Sequence, residues 1–259
     1  MSTFVDDGIV LRRTNYGEAD RILTVLTREH GKLSVIARGV RKARAKMTGQ
    51  TDLLSISRMQ LATGRGERLV LTQAEAIMGP VESVDAVRTA CAALIAEVAD
   101  RVLESRAPDA EVFDLVAGTL QNIQRSANAQ AEVIWCLRQL LDHLGYAPQL
   151  DLCLSCGAQP SDGPAWFSAA GGGLLCSNCA HSDLGAVECS RGVVKVLRCI
   201  QARDRDTYAR LRWDAETLAT LELVVELELS RHLDRRIRSL GVLRDLIAPV
   251  RAPPPASAS

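Results

Sequence analysis

Aromatic residues are scarce in this chain of 259: three Trp, three Tyr and three Phe, 3% of the total. Its core therefore has to come from Leu, Val, Ile and Ala, and a surface that binds by ring stacking has few rings available. Net charge is absent too, with 31 Lys and Arg against 31 Asp and Glu. No apolar run approaches the roughly 18 residues of a membrane span, so no membrane association is expected. The opening MSTFVDDGIV carries acids and no basic segment before an apolar stretch, so no secretory signal is expected. A phosphate loop is missing: Ala62-Thr63-Gly64-Arg65-Gly66-Glu67-Arg68 lacks the Gly-Lys-Ser/Thr ending, and Gly171-Gly172-Gly173 leads into a cysteine pair. Acid-containing neighbours such as Asp142-His143 and Glu18/Asp20, and the isolated His30 and His232, form no nucleophile–base set. The expectation is a protein that is not an enzyme.

What the chain has in quantity is cysteine. Eight cysteines without a secretory signal point to a reducing, cytoplasmic setting, where they serve as thiols or metal ligands. Cys153/Cys156 and Cys176/Cys179 form two Cys-x-x-Cys pairs separated by nineteen residues. A two-residue spacer lets a tight turn aim both sulfurs at one point, and two such turns supply a tetrahedral zinc site. Gly157 follows the first pair, where the chain bends back and a positive φ is useful. Four thiolates leave no coordination position open, so one structural zinc is expected, with His181 as the runner-up ligand. The triple glycine Gly171 to Gly173 reads as a flexible approach to the second pair. Cys91, Cys136, Cys189 and Cys199 read as packed thiols.

The zero net charge conceals a polarity. Residues 1–80 hold 13 basic against 8 acidic side chains, residues 81–152 hold 5 against 11, and residues 153–259 hold 13 against 12. Charge separated in this way implies separate surfaces for separate partners. The basic excess peaks in GKLSVIARGVRKARAK, where Lys32, Arg38, Arg41, Lys42, Arg44 and Lys46 run without an acid between Glu29 and Asp52. Such a strand and loop can follow phosphates without fixed geometry, which makes these six the candidate nucleic-acid contacts. Six contacts to a single strand would make log affinity fall with log salt at a slope of about −4. Only Phe4 and Tyr16 supply rings nearby, so phosphate contact should dominate over base reading.

Along the chain, Ile9–Leu11, Ile22–Leu26, Leu33–Arg38, Leu53–Leu61 and Leu69–Ala76 read as strands separated by turn signals. Five antiparallel strands suit an oligonucleotide/oligosaccharide-binding (OB) barrel; an SH3-like barrel or an open sheet has a similar count. After Pro80 the period becomes helical. Val84, Val87, Cys91, Leu94, Ile95, Val98 and Val102 form one stripe of a helix reaching Arg106, followed by helices over Asp109–Gln124 and Gln130–Leu144. Ser190 and Asp214 are candidate N-caps, the first for Arg191–Ala202, the second for a helix with Leu218, Leu221, Val225, Leu229 and Leu233 inward. A short helix over Leu240–Leu246 precedes a Pro/Ala/Ser tail expected to be disordered. The expected division is α+β: a barrel domain over 1–80, a helical domain over 81–250 carrying a zinc module at about 150–182, and the tail over 251–259. The helices on both sides of the module are expected to pack as one bundle.

From these residues alone two functions compete. One is a non-catalytic nucleic-acid-binding protein whose helical half meets other proteins. The other is a zinc-containing, nucleotide- or RNA-binding enzyme with an OB-type domain. The basic loop without an acid/base constellation favours the first.

GKLSVIARGVRKARAK, LLDHLGYAPQLDLCLSCG and the closing RRIRSLGVLRDL together resemble the RecO family of bacterial recombination-repair proteins, from about Val5 to Leu246. The Leu-Gly-Tyr-x-Pro run feeding Cys-x-x-Cys-Gly is the most specific part. The resemblance implies an N-terminal OB domain and a helical domain with the zinc module. It further implies binding of single- and double-stranded DNA, annealing of complementary strands, and work with RecR and single-stranded-DNA-binding protein (SSB) to load RecA at gaps. Family DNA contacts on the barrel map here to Lys32, Arg38, Arg41, Lys42, Arg44 and Lys46. The acidic SSB tail would need a cationic groove, for which Arg101, Arg125, Arg138 and Arg198 are candidates. A nucleoid-associated location follows from the same resemblance.

Overall fold

In the computed structural model, which describes residues 2–42, 47–64, 66, 68–80, 85–160, 163–233 and 236–251, the first third of the chain closes into a barrel. Its strands are β1 (Thr3–Tyr16), β2 (Asp20–Thr27), β3 (Gly31–Ala37), β4 (Ile56–Thr63) and β5 (Leu69–Met78). They are ordered β1-β2-β3-β5-β4, and β4 returns to β1. All pairings are antiparallel except the short one between β3 and β5, where Val35, Ile36 and Ala37 oppose Leu69, Val70 and Leu71. This Greek-key closure makes the barrel OB-type, rather than the SH3-like or open alternatives.

Alternation along the strands fills the interior with Val10, Leu23, Val25, Leu33, Val35, Met59, Leu61 and Leu71. The fourth strand starts three residues later than Leu53 because a 3-10 turn at Gly49–Thr51 intervenes and Leu54 takes φ 67°. Its N–H donates to the Val10 carbonyl at 2.8 Å, so this segment braces β1 instead of lying in the sheet.

Contacts along the chain divide it into two compact units, residues 1–133 with 237–259, and residues 134–236. Besides the barrel, the first contains α1 (Ala86–Val102), α2 (Ala110–Arg125) and α7 (Arg238–Arg251). Asp85 and Asp109 cap α1 and α2 by accepting from the N–H groups of Val87 and Val112, each cap worth about 1 kcal/mol. Cys91, Leu94, Ile95 and Val98 of the expected stripe are buried, but so are Ala90, Ala92, Ala96 and Ala99. These alanines bury the other flanks of α1, which packs on β1, α2 and α7. Val84 lies outside the described residues.

The expected reach of α1 to Arg106 is four residues too long. Leu103 caps it through Ala99, and the chain then doubles back so that Ser105 bridges Lys32. Helix α7 is longer than the expected Leu240–Leu246. Its first turn is held by Glu97 of α1, which accepts from the Arg238 and Ser239 N–H groups and from the Ser239 hydroxyl. Burial opposes the Glu97 charge, but these donors and Arg101 keep its carboxyl below the usual range.

Helix α3 (Ala129–His143) leads into the second unit, which also holds a small sheet, α4 (Arg191–Gln201), α5 (Arg205–Ala209) and α6 (Ala215–His232). The sheet runs β7-β6-β8, from β6 (Ala165–Ser168), β7 (Gly173–Leu175) and β8 (Val187–Cys189). Ser190 and Asp214 cap α4 and α6 as expected, accepting from Val193 and Thr217. Leu218, Leu221, Val225 and Leu229 are buried, while Leu233 is half-buried; Val224 and Glu228 join the buried face. Much of the scarce aromatic content gathers here, Trp135 against Tyr208 and Tyr208 against Trp213, with the Arg205 guanidinium over two of the rings. Helices from both sides of the cysteines do meet, α1 with α7, and α3 with α4 and α6 through Gln139–Ile200 and Arg138–Glu228, but within two units and not as one bundle. Of the expected tail, Arg251 ends α7 and residues 252–259 lie outside the described residues.

Candidate metal centre and nucleic-acid face

The four expected sulfurs, those of Cys153, Cys156, Cys176 and Cys179, lie within 4.8 Å of one another. Cys156 and Cys176 are 3.8 Å apart, far beyond the roughly 2.05 Å of a disulfide. Sulfurs 2.3 Å from the centre of a tetrahedron are about 3.8 Å apart, so this spacing fits a metal of zinc's bond length.

Local backbone bonds set each pair. The Cys153 N–H donates to Ala158, and Gly157, at φ 70°, donates back to the Cys153 carbonyl. In the second pair the Cys179 N–H donates to the Cys176 carbonyl. The pairs are tied together because Leu154 donates to Leu174, the residue two before Cys176. The triple glycine is part of this frame and not a loose approach. Gly172 accepts from Gln149, and a Cβ on Gly173 would stand 2.5 Å from the Gln149 carbonyl oxygen.

Burial disfavours the Cys153 thiolate, but the N–H groups of Cys156, Cys176 and Ser155 outweigh it and lower the thiol to about 6. Cys179 goes the other way. The Ser155 side chain favours its thiolate, yet Cys176, burial and the remaining two sulfurs push it up to about 12. Four clustered sulfurs cannot all carry charge without a cation among them, which is the electrostatic case for a metal ion. His181 is exposed and stands outside the group; among the described residues this is the one cluster of its kind. Cys91, Cys136 and Cys189 are buried as expected, with Cys199 half-buried.

On the barrel, most arginines already face acids. Arg12 meets Asp100, Arg13 and Arg21 meet Asp52, Arg28 meets Asp114 and Arg58 meets Asp7. Lys32, with a side chain 12% exposed, is held by the Asp100 carbonyl and by its carboxylate at 3.6 Å. It therefore braces the barrel to α1, whatever else it touches. Arg38, Arg41 and Lys42 are exposed, and Arg41 donates to the Gly17 carbonyl at 3.0 Å, stiffening the β1–β2 loop. Arg44 and Lys46 lie outside the described residues, as does Arg65.

Two cations outside the strand-and-loop run join this face. Arg68, just before β5, and Arg106, after α1, line a cleft of about 410 Å³ beside β3 that also includes Tyr16 and Lys32. A second cleft of about 810 Å³ is lined by Tyr16, Arg38 and Arg68. Among the described residues, Arg38, Lys42, Arg68 and Arg106 meet no carboxylate at ion-pair distance. Sequence alone names Arg68 as a possible member of the basic surface but cannot place it, and gives no sign of Arg106, because only the fold brings them beside β3.

Elsewhere, Arg138 cannot line a groove for an acidic tail. It is 2% exposed and enclosed by Asp142 and Glu228. Arg198 donates to the Leu150 carbonyl at 2.7 Å, Arg101 pairs with Glu97, and Arg125 is exposed. The catalytic alternative finds its histidines in structural positions. His30 stands 2.7 Å from Asp6, which also accepts from the Glu29 N–H, and His232 stacks on Tyr146. Among the described residues no helix is long and apolar enough to cross a membrane.

Comparison with known proteins gives two family matches. Residues 1–79 match Recombination protein O N terminal, and residues 83–241 match Recombination protein O C terminal. Similar proteins named DNA repair protein RecO occur in Roseiflexus sp. (strain RS-1), 35% identical over 97% of this chain and 88% of the relative, and in Heliobacterium modesticaldum, 35% identical over 95% and 91%. A third, from Exiguobacterium sibiricum, is 32% identical over 93% of this chain and 96% of its own length.

Proposed function

The chain belongs to the RecO family, and on that premise we propose that it is a non-catalytic recombination mediator in DNA repair, binding single- and double-stranded DNA and annealing complementary strands. In this reading residues 1–80 are the DNA-binding domain, and residues 81–250 carry a module at about 150–182 stapled by one zinc on Cys153, Cys156, Cys176 and Cys179. It works with RecR and SSB to load RecA at gaps, in the cytoplasm at the nucleoid. The observation that carries the proposal is the set of cations on one barrel face, Arg38, Arg41, Lys42, Arg68 and Arg106, exposed in a chain whose other barrel arginines largely face acids. Arg44 and Lys46 extend the set in sequence.

Annealing follows from charge. Two complementary strands repel through their phosphates, and a surface that neutralises both lets pairing begin. The bases supply the selectivity, and no bond changes. Five single-strand phosphate contacts would give a salt slope of about −3.5. Reversing Arg41, Lys42 and Arg44 to Glu is expected to weaken strand binding and annealing together and to flatten that slope. An unchanged salt dependence in this variant would sink the proposal. Metal analysis should find one zinc per chain, its cysteine site closed to further ligands.

A further inference from the structure

The two clefts on the barrel share one wall. Tyr16, Ile36 and Arg68 line both. Tyr16 is the last residue of β1, paired with Asp20 across the β1–β2 turn, and is 48% exposed. Rings this exposed are uncommon here. Tyr146 is comparably exposed but has its face covered by His232 at 3.7 Å between ring centres. Among the described residues no ring stacks on Tyr16.

The cations are placed around this ring. Arg38 lies in one cleft, Arg106 in the other and Arg68 in both. The position of Arg106 is enforced. Its backbone takes φ 60°, a left-handed conformation costing a non-glycine residue about 1–2 kcal/mol, and its N–H donates to the Lys32 carbonyl at 3.0 Å. The segment can approach only because Gly31 has no side chain: a Cβ there would stand 2.3 Å from the Ala107 carbonyl oxygen. Ile22, Ile36 and Leu69 give the floor of this cleft apolar character.

Two adjoining clefts with a bare ring on their shared wall and cations in each, their one lining acid, Asp20, accepting from the Gly39 N–H, match one ligand chemistry. A phosphate-only surface has no use for the ring, and a small anion has no use for two adjoining clefts. Single-stranded DNA presents both parts, bases with open faces at intervals along a charged backbone. In a duplex each base face is covered by its neighbours. OB barrels bind oligonucleotides on the β2–β3 face, between the β1–β2 and β4–β5 loops; here Tyr16 ends β1 beside the first loop and Arg68 closes the second.

We propose that these two clefts are the single-strand subsite of the barrel: a base stacks on Tyr16 while Arg38, Arg68 and Arg106 hold flanking phosphates. Duplex DNA is bound without the ring. The inference deepens the DNA-binding function proposed above and rests on it, but the two fail separately. Its test is fluorescence-anisotropy titration of a mixed-sequence single strand and of its duplex over a range of salt, with Tyr16→Ala, Tyr16→Phe, Arg68→Gln and Arg106→Gln. Losing one stacked base should weaken single-strand binding by Tyr16→Ala roughly 5- to 150-fold. Its salt slope and its duplex affinity stay as in the parent, and Tyr16→Phe binds like the parent because the ring remains. Each arginine variant reduces the single-strand slope by about 0.7. Equal losses for single strand and duplex, or equal losses for Tyr16→Ala and Tyr16→Phe, would overturn the stacking role. So would a Tyr16→Ala variant that melts like the parent and binds the single strand as tightly. A parent protein that binds neither form of DNA would remove the underlying function as well.

Discussion

Replacing Arg138 with Met should do more damage than any surface charge change, because of what it leaves behind. The guanidinium side chain is 3% exposed and lies between Asp142, four residues on in α3, and Glu228 of α6, whose side chains are 12% and 6% exposed. Its approach to Glu228 is 2.7 Å, off the line of a good hydrogen bond, so that contact is held chiefly by charge. Two carboxylates share one cation. Burial raises both acids despite Arg138, Glu228 to about 7 and Asp142 above its usual range. With Arg138 gone, Glu228 sits buried without a counter-charge and Asp142 keeps only Arg203, a change that typically costs about 3–5 kcal/mol.

The pH dependence has a definite sign. Glu228 in the folded protein holds its proton up to about 7, whereas the unfolded chain releases it near 4.5. Its contribution to stability is therefore full below 4.5 and is lost as pH rises through 7. Without Arg138 both acids should rise further, moving that loss to higher pH. Urea unfolding of metal-replete protein at pH 8 should show Arg138→Met losing about 3–5 kcal/mol, and the loss should shrink at pH 6.5, where the acids are more protonated. In a Glu228→Gln background the same substitution should cost less, because one carboxylate remains where there were two. A loss identical at both pH values and in both backgrounds would refute the charge argument and leave only packing.

Cys176→Ser should reduce bound zinc well below one per chain and abolish cooperative melting of the unit from 134 to 236; structural zinc contributes roughly 10–16 kcal/mol in isolated finger peptides. A variant with parental zinc content in a chelator-release assay would show that the fourth sulfur is dispensable. Gly31→Ala places a Cβ against the Ala107 carbonyl at a residue with φ 69°. Left-handed strain and overpacking together predict a loss of about 2–5 kcal/mol by denaturant titration, and a loss below 1 kcal/mol would mean that segment 105–107 yields freely.

The cysteine pairs were legible because their chemistry is local: two-residue spacers fix the turn before any tertiary contact exists. Strand positions and the caps Ser190 and Asp214 were legible for the same reason. Strands of three or four residues, such as β7 and β6, are too short for alternation to register. Arg106 was read as the end of a helix because nothing local stops α1 at Val102; pairing with β3 does. Arg138 looked like a surface cation, since helical periodicity around it does not show that Glu228, far along the chain in α6, turns inward with it. Charge in the sequence marked Lys32 for DNA, and the fold gives it Asp100 first.

Helix α7 lies at the end of the chain but packs on α1, which ends at Val102. During synthesis at about 5–20 residues per second, roughly 7–27 s separate completion of α1 from the arrival of Arg238 at the peptidyl-transferase centre. Throughout that interval Glu97 lacks the N–H groups it later accepts, and the α1 surface met by α7 stays open to water. Newborn α1 thus carries an uncovered sticky side until α7 has been made. A ribosome stalled anywhere between these two helices would display a nascent chain ready for capture by chaperones, or by another copy of itself.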